Sequence, residues 1–542
     1  MTDGPLLFPA ADTVLLPLSH PGAEAARSEL AAFAQLDTAP DQIHTYRLTD
    51  LALWNARAAG LRAERAVDVL TRHGAGPVPH AMVRAVADGM DRFGRVTIEG
   101  HGAELVVRVD EPALLAELLA DDAVARLVGP VLDETTVAVE PAARGRLKQV
   151  LVERRWPADD RAALSPGLPF PIRLDPSLEL RPYQRHAVDS WLPSGSGVIV
   201  LPCGAGKTVT ALAAAAAVGA RTLVLVTGEA AMEQWRHEIA RFTDVADADV
   251  GSYSARRKEI RPVTIATYHV VATRRHGELR HLDLIQSGDW GLVVYDEVHL
   301  LPSAVFQLTA GIQSRRRLGL TATLIREDGR HGDVFSLVGP KRFDVAWREL
   351  ELQGWLAPAT CTEVRVVPTG AERLAHARAG ARHKAATVAA IAAKLDIVAR
   401  ILARHPGEPA LVIGTYLAGL DTLAERLGAP LVTGATPAAE RLARFDDLRA
   451  GRLPVLVVSK VANVSLDLPE VSVAVQVSGT FGSRQEEAQR LGRILRPKAD
   501  GRQAHFYTLV ARDTVEQDYA ARRQLFLSEQ GYGYRIVDAD EL

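Results

Sequence analysis

Two carboxylates stand side by side where an apolar run ends: in GLVVYDEVHLLP, Asp296 and Glu297 follow four apolar residues, and His299 comes two positions later. Adjacent anions at the end of a buried strand repel each other unless a cation lies between them, and a metal ion meets that need. Upstream, LPCGAGKTVTALA puts Gly204, Ala205, Gly206, Lys207 and Thr208 between a buried-strand pattern and an amphipathic helix pattern. Glycines there let backbone N–H groups turn inward around phosphates, the helix start adds its positive end, and the lysine and threonine contact phosphate and magnesium. The wider pattern, with a glycine five positions before Gly206, is not met, because Leu201 stands there. A chance Gly-Lys-Thr after a glycine turn and acidic residues that only cap a strand are the bland alternatives; the two motifs together favour phosphate chemistry. In that chemistry Thr208 and Asp296 hold magnesium, Lys207 binds phosphate, and Glu297 polarises the water that attacks the terminal phosphate. A zinc site would need two histidines a helical turn apart with a glutamate between, so His299 is assigned to coupling.

These residues require a parallel sheet, whose carboxyl ends are where open α/β sheets bind ligands. Strand and helix patterns alternate as such a sheet demands: GVIVLP, TLVLVT, PVTIATY, GLVVYDE and RLGLTAT, with TVTALAAAAAVG and AAMEQWRHEIARF between the early ones. A second series, ALVIGTY, APLVTG, LPVLVVS, VAVQVS and HFYTLVA, starts near Pro409. In its SRQEEAQRLGRILRP segment, Gln489, Arg490, Arg493 and Arg496 fall on one or two adjacent helix faces. A solvated basic helix is the default reading, yet arginines on a second lobe can reach across a cleft and stabilise charge on a transferring phosphoryl group. Before both series, helical stretches precede the hairpin pattern RVTIEGHGAELVVRV, its turn supplied by Gly100 and Gly102. A segment rich in proline, WPADDRAALSPGLPFPIRLDPSLELRP, then reads as a linker.

The expected organisation is an N-terminal α+β region at 1–155, a linker at 156–180, an ATP-binding lobe at 181–350, an inter-lobe segment at 351–405 that includes a short thumb, and a second lobe at 406–542. A net charge of -3 provides no global attraction to nucleic acid, so such binding must use local clusters. Candidates are Arg256 to Lys258, Arg274 with Arg275, Arg315 to Arg317, and Arg378, Arg382 and Lys384, each of which alone reads as solvated surface. The two cysteines, Cys203 and Cys361, supply neither a disulfide framework nor a zinc site, and no signal or bilayer-spanning run is visible, so a cytoplasmic location is expected.

Taken in chain order, RPYQ (Arg181 to Gln184), LPCGAGKT, EQW, DEVH, LGLTATLIRED, GPKRFDVAWREL, SKVANVSLDLPE, EEAQRLGRILRP and the tail from Phe506 resemble the superfamily-two helicases of the XPB type over nearly the whole chain. The resemblance implies two tandem RecA-like lobes preceded by a small α+β region, ATP and Mg2+ as cofactors, and single- and double-stranded DNA as partner. It also implies 3′ to 5′ unwinding in nucleotide excision repair, with a nuclease or repair protein as a further partner. Carried over, Arg181 and Gln184 read adenine, Asp467 completes the nucleotide site, Thr321 and Thr323 link lobe movements, and Gln489, Arg493 and Arg496 serve the terminal phosphate. Arg326, Glu327 and Asp328 match an element implied in strand opening. Ala462 and Asn463 depart from the family's usual Gly-Asp, so a translocase that moves on duplex DNA without separating strands is the second reading. An inactive binding scaffold is the third.

Overall fold

Apolar runs four or five residues long give strands buried on both faces, and that burial requires helices on either side of a parallel sheet. The computed structural model describes residues 4–39, 42–101, 104–141, 143–162, 166–273, 281, 285, 287–300, 309, 312, 314–322, 331–380, 383–389, 391–459, 471–478, 502–529 and 534–542. The chain divides into two compact units: Met1–Asp37, Gln42–Leu201 and Gly206–Asp344 form one, and Thr38–Asp41, Pro202–Ala205 and Val345–Leu542 the other.

The sheet of the first unit contains β1 (Ser196–Val200), β2 (Thr222–Val226), β3 (Val250–Tyr253), β4 (Val263–Thr267), β5 (Leu292–Asp296), β6 (Arg316–Thr321) and β7 (Lys341–Asp344), in the order β3-β4-β2-β5-β6-β1-β7. Every pairing in it is parallel. Helix α1 (Pro182–Trp191) precedes β1, α2 (Lys207–Val218) connects β1 to β2, and α3 (Glu229–Phe242) connects β2 to β3. Alanines bury the inner side of α2, and their small side chains let it lie close to the sheet.

In the second unit, β8 (Ala359–Val366), β9 (Ala410–Ile413), β10 (Leu431–Val432), β11 (Val455–Val458), β12 (Val473–Gln476), β13 (Ala504–Ala511) and β14 (Tyr534–Asp538) form a parallel sheet in the order β10-β11-β9-β12-β13-β8-β14. Numbered within its own lobe, each sheet has the order 3-4-2-5-6-1-7, so the lobes share one topology. Strand β8 lies in the segment expected between the lobes, and its polar pattern hid it. Its buried Glu363 accepts hydrogen bonds from Gln524 Nε2 at 2.9 Å and the Tyr534 hydroxyl at 2.5 Å, which is how a carboxylate is accommodated inside a sheet.

The N-terminal region contains a four-stranded and a five-stranded sheet. The expected hairpin pairs Val96–His101 with Glu104–Val109, and Gly100 lies in the strand opposite Leu105 rather than in the turn. This region packs on the first lobe: Lys341 N–H donates to Asn55 Oδ1 at 2.7 Å, Arg342 donates to the Ala58 carbonyl at 2.8 Å, and the Phe335 ring lies 5.9 Å from Trp54 and 6.0 Å from Phe93. The segment expected as a linker is fastened too. Ala158–Asp160 pairs with Val96–Ile98, and Leu168 and Phe170 donate to the carbonyls of Asp289 and Gly219 at 3.1 and 3.0 Å. Arg173 N–H donates to Asp244 Oδ1 at 2.8 Å and Asp175 N–H to the Phe242 carbonyl at 2.8 Å, so residues 168–175 form a strap across the first lobe.

Candidate active site

Strand β1 ends at Val200, and the loop after it opens through two left-handed glycines, Gly204 at φ 82° and Gly206 at φ 80°. Ala205 N–H donates to the Pro202 carbonyl at 3.1 Å, and α2 begins at Lys207 with Thr208 in its first turn. Conformation requires glycine at Gly206, and a Cβ there would fall 2.4 Å from Gln184 Nε2 and push that amide aside. Gln184, buried in the first turn of α1, is held in turn by the Arg181 N–H, which donates to its Oε1 at 2.9 Å. The two residues expected to read adenine are thus braced against each other and against the phosphate loop.

Strand β5 delivers the acidic pair. Glu297 has φ 49°, a left-handed conformation that costs about 1 kcal/mol for a residue with a side chain and turns the chain sharply out of the sheet. Its Oε1 accepts from Lys207 Nζ at 2.7 Å. The Asp296 carboxylate instead accepts from the Trp235 indole N–H, Oδ2 to Nε1 2.9 Å, and its backbone carbonyl from the Tyr268 hydroxyl at 2.7 Å. Burial pushes the Asp296 carboxyl up to about 6, and the Glu297 charge adds to the rise. Burial alone would raise Glu297 as well; Lys207 and then His299 hold it below the ordinary carboxylate value.

Buried His299 places Nδ1 2.6 Å from Thr321 Oγ1 and 3.6 Å from Glu297 Oε2. The Thr321 carbonyl accepts from Leu201 N–H at 2.9 Å, which joins the acidic pair through β6 to the root of the phosphate loop. Lys207, Asp296, Glu297, His299, Thr321 and Gln184 therefore meet at the carboxyl ends of β1, β5 and β6. Thr323, Arg326, Glu327, Asp328, Asp467, Gln489, Arg493 and Arg496 lie outside the described residues, as do Ala462 and Asn463. Trp235 and Tyr268 were not singled out as site residues by sequence reasoning; Trp235 sits inside the EQW motif, whereas no local signal marks Tyr268.

One basic candidate is corrected. Arg317 is buried in β6 and donates to the carbonyls of Leu337 and Ile312 at 2.9 and 2.8 Å, so it is a packing residue and not surface for a phosphate backbone. Its place inside β6 buries it, whereas Arg315, just before the strand begins, is exposed.

The donor set suits a hard divalent cation. Thr208 and Asp296 offer only oxygen, and the raised Asp296 carboxyl shows that the residues around it leave its negative charge under-compensated.

Residues 350–541 match the family described as ERCC3/RAD25/XPB C-terminal helicase, residues 177–326 match type III restriction enzyme, res subunit, and residues 6–133 match helicase conserved C-terminal domain. The chain is 54% identical to the DNA 3′-5′ helicase XPB of Mycobacterium tuberculosis, over 100% of this chain and 99% of that protein. It is 28% identical to the Saccharomyces cerevisiae general transcription and DNA repair factor IIH helicase/translocase subunit XPB/SSL2, over 98% and 72% of the two chains. Among solved structures, the ATP-dependent type ISP restriction-modification enzyme LlaBIII bound to DNA has a similar fold, with TM-score 0.51, 14% identity, and coverage of 67% of this chain and 32% of that one.

Proposed function

Because the chain belongs to the XPB family of DNA helicases, we propose that it is an ATP-driven 3′ to 5′ DNA helicase of repair whose hydrolytic centre is the Lys207, Asp296 and Glu297 cluster. The observation that supports this site is the 2.7 Å ion pair between Lys207 on the phosphate loop and Glu297 at the end of β5. It joins the phosphate-binding cation to the group that must orient water, and it defines a resting state. When ATP arrives, its phosphates compete for Lys207, and the released Glu297 carboxylate can accept a hydrogen bond from the attacking water. Glu297 stays ionised at neutral pH because Lys207 and His299 favour its charged form. Gly204 and Gly206 bring backbone N–H groups to the phosphates, and Gln184 with Arg181 flanks the base. Thr208 and Asp296 would hold Mg2+, which when bound neutralises charge on the phosphates.

Asp467, Gln489, Arg493 and Arg496 are proposed to complete the site from the second lobe. His299 and Thr321, with Thr323, are proposed to couple hydrolysis to movement, and Arg326, Glu327 and Asp328 to act at the strand junction. A nuclease or repair protein as partner and a cytoplasmic location belong to the same reading; among the described residues no helix is long and apolar enough to cross a membrane.

The test is a fluorescent duplex with a 3′ tail, assayed beside DNA-stimulated phosphate release. ATP-dependent strand release that Lys207→Ala abolishes is expected. Triplex displacement without duplex opening would instead establish the translocase reading suggested by Ala462 and Asn463. Absence of any DNA-stimulated hydrolysis would leave a scaffold.

A further inference from the structure

Asp296 is gripped at both its side chain and its backbone: the Trp235 indole donates to its carboxylate at 2.9 Å, and the Tyr268 hydroxyl holds the backbone carbonyl at 2.7 Å. Trp235 is itself buried in the middle of α3. Trp235 borders a small apolar cavity of about 10 Å³, together with Ile172, Leu212, Ile239 and Val294. Those neighbours come from separate parts of the machine: Val294 precedes Asp296 on the same face of β5, Leu212 belongs to the helix that Lys207 begins, and Ile172 belongs to the strap. A void of that size barely admits one water, so the ring is packed, and the hydrogen bond to Asp296 fixes which way its N–H points.

We propose that Trp235 is a positioning residue for the acidic pair: its indole N–H, bonded to Oδ2, fixes the orientation of the Asp296 carboxylate that would hold the cation, while the strap sets the seat of the indole through Ile172. This deepens the motor reading and rests on its assignment of Asp296 to the metal. The consequence is a physical route from the N-terminal side of the chain to the hydrolytic centre.

Binding of a fluorescent ADP, titrated with Mn2+ and measured again without metal, separates positioning from bulk structure. Trp235→Phe keeps the ring and loses the donor. It is expected to raise the Mn2+ concentration for half-saturation about tenfold and to lower kcat by a similar factor, as the loss of one hydrogen bond to a charged group would. Affinity for the metal-free nucleotide should stay within about twofold. Ile172→Ala should move Mn2+ dependence in the same direction by less, and an unchanged value would overturn the strap's part. If Trp235→Phe leaves Mn2+ dependence unchanged, or weakens metal-free binding equally, the proposal falls. Should that variant fail to fold, 5-fluorotryptophan protein supplies a second reading. One of its seven tryptophan resonances must shift both in Asp296→Asn and on adding diamagnetic Mg2+ to the wild type, and the absence of such a resonance refutes the contact in solution. A wild type that binds metal and ADP yet never hydrolyses ATP would sink the motor reading while leaving the positioning result to stand or fall by itself.

Discussion

At the scale of single residues, the resting ion pair makes an unusual prediction for Glu297. Lys207 and Glu297 are both mostly buried, with side-chain exposures of 12% and 18%, so their attraction competes directly with nucleotide for the lysine. Glu297→Gln removes the charge on that competitor and should tighten ATP binding by about fivefold, equivalent to roughly 1 kcal/mol, while abolishing turnover. Equilibrium binding of a fluorescent ATP analogue reads it, and weaker binding would contradict the resting-state role. Asp296 behaves oppositely. Its carboxyl sits at about 6 in the folded, metal-free protein but near the ordinary 3.9 when unfolded, so the folded chain binds the proton more tightly. Its ionisation therefore costs stability above about pH 6, and that cost disappears below about pH 4, where both states are protonated. Asp296→Asn should accordingly melt at a higher temperature than the parent at pH 7.5 without metal or nucleotide, with the gap nearly constant down to about pH 6 and shrinking from there to pH 5. A gap that is constant across this range would refute the assignment.

For the elements, two left-handed glycines at the ends of α2 separate conformation from contact. Gly219 closes the helix at φ 63° with open space around it, whereas Gly206 opens it at φ 80° with Gln184 Nε2 in the way of any side chain. Gly219→Ala should cost only the left-handed penalty of about 1 kcal/mol. Gly206→Ala should cost at least about 2 kcal/mol, displace Gln184 and weaken nucleotide binding; urea melts of equal midpoint would disprove the difference. The same elements show what a sequence makes legible. The central strands β1, β2, β4, β5 and β6 are rich in apolar residues, a glycine loop follows β1 and an acidic pair ends β5, and each was readable. Strands β3 and β7 lie at sheet edges, and β8 is interrupted by polar residues such as Thr360, Thr362 and Glu363, so their identity depends on partners far away in the chain. Within the candidate site, the meeting of Lys207 with the acidic pair was expected, because the residue types and spacing that phosphate chemistry would need are confined to two short motifs. Trp235 was not, since a tryptophan in an amphipathic helix reads as core until the strand bearing Asp296 is placed beside it.

On the scale of the whole chain, composition misled most about residues 156–180. Proline density forbids a helix or an interior strand there, but it does not require a free tether. The strap uses its backbone groups on the first lobe: Arg173 bonds at both N–H and carbonyl to Asp244, and Gly167, at φ 77°, comes so close to Gly291 that a Cβ would lie 2.1 Å from the Gly291 nitrogen. The five-stranded sheet is anchored nearby through Asp160, whose carboxylate receives Arg144 at 2.7 Å and Lys148 at 2.8 Å in a buried cluster. Such a cluster is costly to break from one side, because the remaining charges lose their compensation. The N-terminal region and first lobe should then open together, consistent with their belonging to one compact unit. Trypsin tests this at Arg173, a basic residue in a segment that a flexible linker would offer at once. Cleavage after Arg173 requires the strap to leave the lobe, so its rate should rise with urea in step with unfolding of the first unit followed by circular dichroism. Rapid release of an N-terminal fragment ending at Arg173 in the absence of urea would mean that the strap detaches independently, and the N-terminal region would then be a tethered module and not part of the first lobe's rigid body.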